Sequence, residues 1–157
     1  MIRYATTIQI ERPPGEVLAV LTDPSRFHEW TEMVDVRFDT AEPRVGTRGT
    51  FRLAKGPIKG TISVEIVEFV PDRKVVFRIT HPTLSWRAVS ELTPTASGTE
   101  LLYAGELSLR GWRRILEPLM AGEVRAGERA EAERLKVVLE HGPATLTRAD
   151  ERTTLSA

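Results

Sequence analysis

The chain has 157 residues, with 22 Lys plus Arg balanced by 22 Asp plus Glu, and no cysteine. That length suits one domain with a real core, and zero net charge gives no global field to gather nucleic acid or an anionic surface. The missing thiols exclude disulfide scaffolding, thiolate catalysis and a cysteine-based zinc site.

The N-terminal stretch lacks a basic region followed by an apolar run, and nothing approaches 18 consecutive apolar residues, so a cytoplasmic protein without a membrane span is expected. Arg3 to Glu11 alternates, with Tyr4, Thr6, Ile8 and Ile10 on one face, which predicts a half-buried first strand. Pro13-Pro14 ends it and opens a helix to about Thr22, with Val17, Val20 and Leu21 inward. Asp23-Pro24 repeats the pattern of N-cap followed by proline, predicting a second short helix through Phe27 to Trp30.

Strands separated by turn residues follow: Val34 to Thr40, Thr47 to Lys55, Ile58 to Phe69, Lys74 to Thr80, Leu84 to Leu92 and Thr99 to Leu109. The alternation changes phase between Ile66 and Val67, predicting a bulge there. On the last strand Leu101, Tyr103, Gly105, Leu107 and Leu109 share the inner face. Short turns from the second strand to the seventh imply an antiparallel meander.

A long helix from Gly111 to about His141 closes the order. Trp112, Leu116, Leu119, Met120, Val124, Ala130, Leu135, Val138 and Leu139 form its apolar stripe, and Arg125, Glu128, Arg129, Ala132, Glu133 and Lys136 its solvated face. Pro118 is expected to divide it into a short first segment, Gly111 to Glu117, and a main helix. Glu123 and Gly127 fall inside the stripe, where a carboxylate and a missing side chain suit either a cavity wall or a close strand approach. At roughly 45 Å the helix outspans a strand and is the natural cover for the sheet. One domain over 1–142 is expected, with 143–157 a polar tail.

The segments Ile10-Glu11-Arg12-Pro13-Pro14-Gly15-Glu16-Val17 and Leu21-Thr22-Asp23-Pro24-Ser25-Arg26-Phe27-His28-Glu29-Trp30 resemble the opening of the START-like (SRPBCC) superfamily, in its polyketide cyclase/dehydrase branch. Gly46-Thr47, Leu92-Thr93-Pro94 with Gly98-Thr99, and Arg134-Leu135-Lys136 add to the likeness, which covers roughly 3–141. The resemblance implies an α+β helix-grip fold: a seven-stranded curved antiparallel sheet around a long C-terminal helix, in the order β-α-α-β6-α. It also implies a cavity for a lipid, polyketide or other hydrophobic molecule, with aromatase/cyclase activity in some members. It carries no catalytic signature, so no catalytic residue is assigned.

Three scattered histidines, His28, His81 and His141, offer no metal site, and no phosphate loop, dinucleotide fingerprint or nucleophile elbow is present, so neither metal nor cofactor is expected. Inner-face parity and the helix stripe give a ligand-binding list of Phe51, Leu53, Phe77, Ile79, Trp86, Tyr103, Leu119, Met120, Glu123 and Gly127. Thr6, Ser90 and His81 are further inward polar groups, His81 also fitting a rim position before Pro82. The expected partner is a hydrophobic or aromatic small molecule. An acid/base enzyme acting in the same cavity, or an interaction module whose large side chains fill it, remains open, as does the oligomeric state.

Overall fold

A computed structural model describes residues 1–142; the expected tail lies outside the described residues. In chain order the elements are β1 (Ile2–Ile10), α1 (Pro14–Leu21), a 3-10 turn (Phe27–Glu29), β2 (Met33–Phe38), β3 (Arg48–Leu53), β4 (Ile62–Val70), β5 (Lys74–His81), β6 (Leu84–Pro94), β7 (Thr99–Leu109), a 3-10 segment (Gly111–Leu116) and α2 (Glu117–His141). The strands form one antiparallel sheet ordered β1-β7-β6-β5-β4-β3-β2. This is the helix-grip order read from the sequence.

Local chemistry accounts for the boundaries. Pro14 starts α1 without wasting a donor, and the Pro13 carbonyl accepts from the Glu16 and Val17 N–H groups. The stretch after Asp23 makes less helix than expected. Asp23 Oδ1 accepts from the Ser25 N–H at 2.9 Å, an aspartate turn, and only Phe27–Glu29 closes a 3-10 turn, because so short a segment does not repay α-helix nucleation. The phase change in β4 is a register shift between Ile66 and Glu68 against β5. A second shift, between Val34 and Arg37, bends edge strand β2.

Pro118 acts as the sequence suggests. Gly111, with φ of 64°, turns the chain out of β7; six residues wind as 3-10 helix, and regular α-helix begins at Glu117. Proline is harmless there because the first-turn N–H groups have no intrahelical acceptor. The far end is clamped by the chain leaving β1. Arg12 Nε donates to the Leu139 carbonyl at 3.0 Å, and Glu140 Oε2 accepts from the Glu11 N–H at 2.8 Å. Along its length α2 guards edge strand β1, where Arg125 Nε donates to the Arg3 carbonyl at 2.8 Å.

The rotation of α2 departs from the sequence reading. Ala132, assigned to the solvated side, is fully buried, and Glu128 and Glu131 turn toward the sheet, while Leu119 is 80% exposed. The inward line runs through Val124, Glu128, Glu131, Leu135 and Val138, steps of four and three. A phase carried forward from Trp112 at 100° per residue goes wrong because the 3-10 segment turns about 120° per residue, accumulating roughly 120° of error before α2 begins.

The core is continuous from α1 to α2. Val17, Leu21, Phe27, Trp30, Ile66, Val75, Leu101 and Leu135 are buried together, and Phe27, Phe38 and Phe77 meet edge to face or tilted at 6.1 to 6.5 Å.

A candidate ligand groove and its carboxylate pair

Between α2 and the concave face of the sheet lies a groove of about 460 Å³. Its floor is apolar: Phe51 and Leu53 from β3, Ile62 from β4, Ile79 from β5, Leu84 and Trp86 from β6 and Leu107 from β7. Its helical wall carries Glu123, Val124, Gly127, Glu128, Glu131 and Arg134. A side chain at Gly127 meets nothing within 4 Å, so the missing side chain contributes open space and not a strand approach.

Of the ten residues singled out from the sequence, Phe51, Leu53, Ile79, Trp86, Glu123 and Gly127 border this groove. Phe77 and Tyr103 lie deeper, with Trp30 and Phe38, around a residual space of about 40 Å³ that their rings nearly fill. Met120 packs beside Leu84 and Leu109 in the adjoining cluster, and Leu119 faces away. These last two stand outside the groove because of the altered helix phase. His81 is tied at the rim, Nδ1 to Thr83 Oγ1 at 2.7 Å and Nε2 to the Lys59 carbonyl at 3.0 Å.

Behind the helical wall of the groove, five side chains with polar groups converge. The Trp86 indole N–H donates to Tyr4 Oη at 2.9 Å, and the Tyr103 hydroxyl donates to Glu131 Oε2 at 2.9 Å. Tyr4 and Tyr103 are tilted neighbours at 6.3 Å. Glu128, one helical turn before Glu131, completes the group beside Glu131 and both phenols, and among the described residues its Oε2 and the Trp30 indole N–H are buried without a hydrogen-bond partner. Arg134 anchors the wall, donating from Nε to the Trp30 carbonyl at 3.0 Å.

Burial, followed by the charge of Glu131, pushes the Glu128 carboxyl up to about 9. Burial also raises Glu131, to about 6, held down by the Tyr103 hydroxyl and the Arg134 guanidinium. The two act as a pair holding one proton between those limits. Burial likewise raises both phenols, so Tyr4 and Tyr103 remain protonated donors. The arrangement supplies a carboxylic acid that donates and a carboxylate that accepts on the groove's helical wall, with two phenols packed behind them.

Glu128 and Glu131 were missed in the sequence because the helix was read forward from Trp112. Read backward from Val138 and Leu135, both fall in step with the buried positions. Among the described residues no group of three or more acids or histidines is placed to hold a metal ion, and no helix is long and apolar enough to cross a membrane.

Comparison with known proteins agrees with this architecture. The sequence profile of the family described as polyketide cyclase / dehydrase and lipid transport matches residues 1–140. No curated protein matches the chain in sequence. Among solved structures, a structural-genomics protein from Nitrosomonas europaea is similar with TM-score 0.68 at 21% identity, covering 91% of this chain and 97% of that one. The Aha1 dimer from Colwellia psychrerythraea gives 0.67 at 16% identity, covering 91% and 99%. DynU16, a protein in the dynemicin biosynthetic locus, gives 0.63 at 19% identity, covering 90% of this chain and 48% of that one. With the profile spanning nearly all the described residues, the chain belongs to the polyketide cyclase/dehydrase and lipid transport family of the START-like superfamily.

Proposed function

We propose that the protein binds a hydrophobic or aromatic small molecule in the groove between the sheet and α2. The observation that carries this reading is a space of about 460 Å³ with an apolar floor, bordered by Glu32, Lys55 and the charged residues of the α2 wall, an apolar concavity with polar groups able to orient a small molecule. Phe51, Leu53, Ile79 and Trp86 supply the floor and Gly127 the clearance, while Phe77 and Tyr103 back the inner end. The unpartnered Glu128 oxygen, on the helical wall of the groove, is a polar group that a carbonyl- or hydroxyl-bearing ligand would satisfy.

Native mass spectrometry of the purified protein, followed by organic extraction, tests this. A non-covalent adduct, or saturable uptake of a probe such as a naphthol or a medium-chain fatty acid, is the expected outcome. Protein that emerges empty and rejects a library of such probes sinks the reading.

A second reading, cyclisation or dehydration of a polyketide-like ligand, is favoured by the Glu128 and Glu131 pair. Glu131, as carboxylate, would take a proton from carbon next to a carbonyl, while Glu128, as acid, would protonate a departing hydroxyl, so water leaves and the charge of the pair is unchanged. Glu128→Gln separates the readings. A catalyst keeps its affinity and loses turnover; a carrier shows only a change in affinity.

A further inference from the structure

The segment that leads into α2 carries an uncovered apolar face. Trp112, Ile115 and Leu119 are 66%, 74% and 80% exposed. Residues three apart in a 3-10 helix eclipse one another, and Ile115 and Leu119 are four apart across the junction into α2, so the three share one side. The other side of the segment is occupied: Leu116 and Met120 pack on Leu84, Leu107 and Leu109.

The charge beside this face is mainly positive. Arg110, Arg113 and Arg114 are exposed, and among the described residues none of them forms a salt bridge. Glu117, the only acid between residues 110 and 122, is turned inward onto the Met1 ammonium and the Leu109 N–H. That ammonium, followed by the Leu109 N–H, holds its carboxyl below the usual range. Arg113 stacks over the Trp112 ring at 5.1 Å. A chain of zero net charge thus concentrates three cations around an exposed Trp-Ile-Leu face.

We propose that this face docks on a lipid bilayer with anionic headgroups. Trp112, Ile115 and Leu119 enter the boundary between headgroups and acyl chains, and the arginines meet the phosphates. Charge decides the partner. A symmetric contact with a second copy would bring six arginines together, with exposed Glu123, four residues past Leu119, the nearest acid following the face in sequence on each copy, whereas an anionic surface supplies the opposite charge. The covered side of the segment meets Leu84 and Leu107, which also border the groove, so docking sets the groove beside the lipid. The proposal does not depend on what the groove binds.

Cosedimentation with vesicles of phosphatidylcholine plus phosphatidylglycerol, and of phosphatidylcholine alone, tests it. The full chain is expected to bind the anionic vesicles, to release at high salt, and to show a blue shift of tryptophan emission that Trp112→Ala removes. Each of Arg110→Gln, Arg113→Gln and Arg114→Gln should weaken binding about fivefold on anionic vesicles only. Trp112→Ala with Leu119→Ala should weaken it at least about tenfold. Thermal melts confirm that these exposed substitutions leave the fold intact. No binding to anionic vesicles, or binding indifferent to both sets of variants, overturns the proposal. So does a concentration-dependent dimer in sedimentation velocity that Trp112→Ala dissolves, which would give the face to a second copy.

Discussion

Tyr4 and Gly105 are cross-strand partners, and the phenol of Tyr4 occupies the place a side chain at 105 would take. A Cβ there would fall on the Tyr4 hydroxyl, 2.6 Å from its Cζ and 2.7 Å from the Arg87 carbonyl oxygen. The glycine lets the Tyr4 ring lie across β7 and receive the Trp86 N–H at 2.9 Å. Gly105→Ala should therefore destabilise by about 1–3 kcal/mol through overpacking, seen as a lower urea midpoint. Tyr4→Phe should cost a similar amount by leaving the Trp86 N–H unpaired. A Gly105→Ala midpoint equal to wild type would show that the ring does not sit there.

The meander from β2 to β7, the β4 bulge, the division of the last helix at Pro118 and the inner face of β7 were legible because each rests on short-range signals: two-residue alternation, turn residues and the missing proline N–H; the pairing of β1 with β7, from opposite ends of the sheet-forming chain, has no such signal. The carboxylate pair was not. Charged residues on a helix read as solvated, and what keeps Glu131 inside is a phenol 28 residues earlier, on a strand reached only through the tertiary fold. Leu119 failed for the complementary reason. Apolar periodicity cannot distinguish a buried stripe from an exposed apolar face once a 3-10 segment has shifted the phase.

Raised carboxyl pKa values make stability depend on pH with a definite sign. Glu128 and Glu131 hold a proton in the folded state where the unfolded chain, near 4.5, has lost it. The folded state thus binds more protons, and stability falls as pH rises, first through about 6 and then through about 9. Glu128→Gln, which cannot ionise, should flatten the upper part of this dependence and raise the melting temperature at pH 9 by several degrees while changing it little at pH 5. Parallel melting curves for the two proteins across that range would place Glu128 in solvent.

Tyr103 controls the lower member of the pair. Its hydroxyl donates to Glu131 Oε2 at 2.9 Å and favours the ionised form. Tyr103→Phe should move the Glu131 titration upward from about 6, toward protonation at neutral pH. Carbon-detected NMR of the glutamate carboxyls reads this directly. An unchanged or lowered value would mean that the phenol does not serve Glu131, and with it would go the division of the pair into one acid and one base.

Two helix glycines give a matched test of the groove. Gly122 and Gly127 both lie in α2, and an added side chain meets nothing within 4 Å at either. Replacing either by leucine should stabilise the protein by about 0.5–1 kcal/mol, because glycine disfavours a helix interior. The two differ in position: Gly127 borders the groove opposite Phe51 and Trp86, and Gly122 does not. Gly127→Leu should abolish uptake of a hydrophobic probe while raising the melting temperature, and Gly122→Leu should raise the melting temperature and leave uptake intact. Since neither variant is expected to weaken the fold, loss of uptake in both or in neither would remove the groove as the binding site without implicating misfolding.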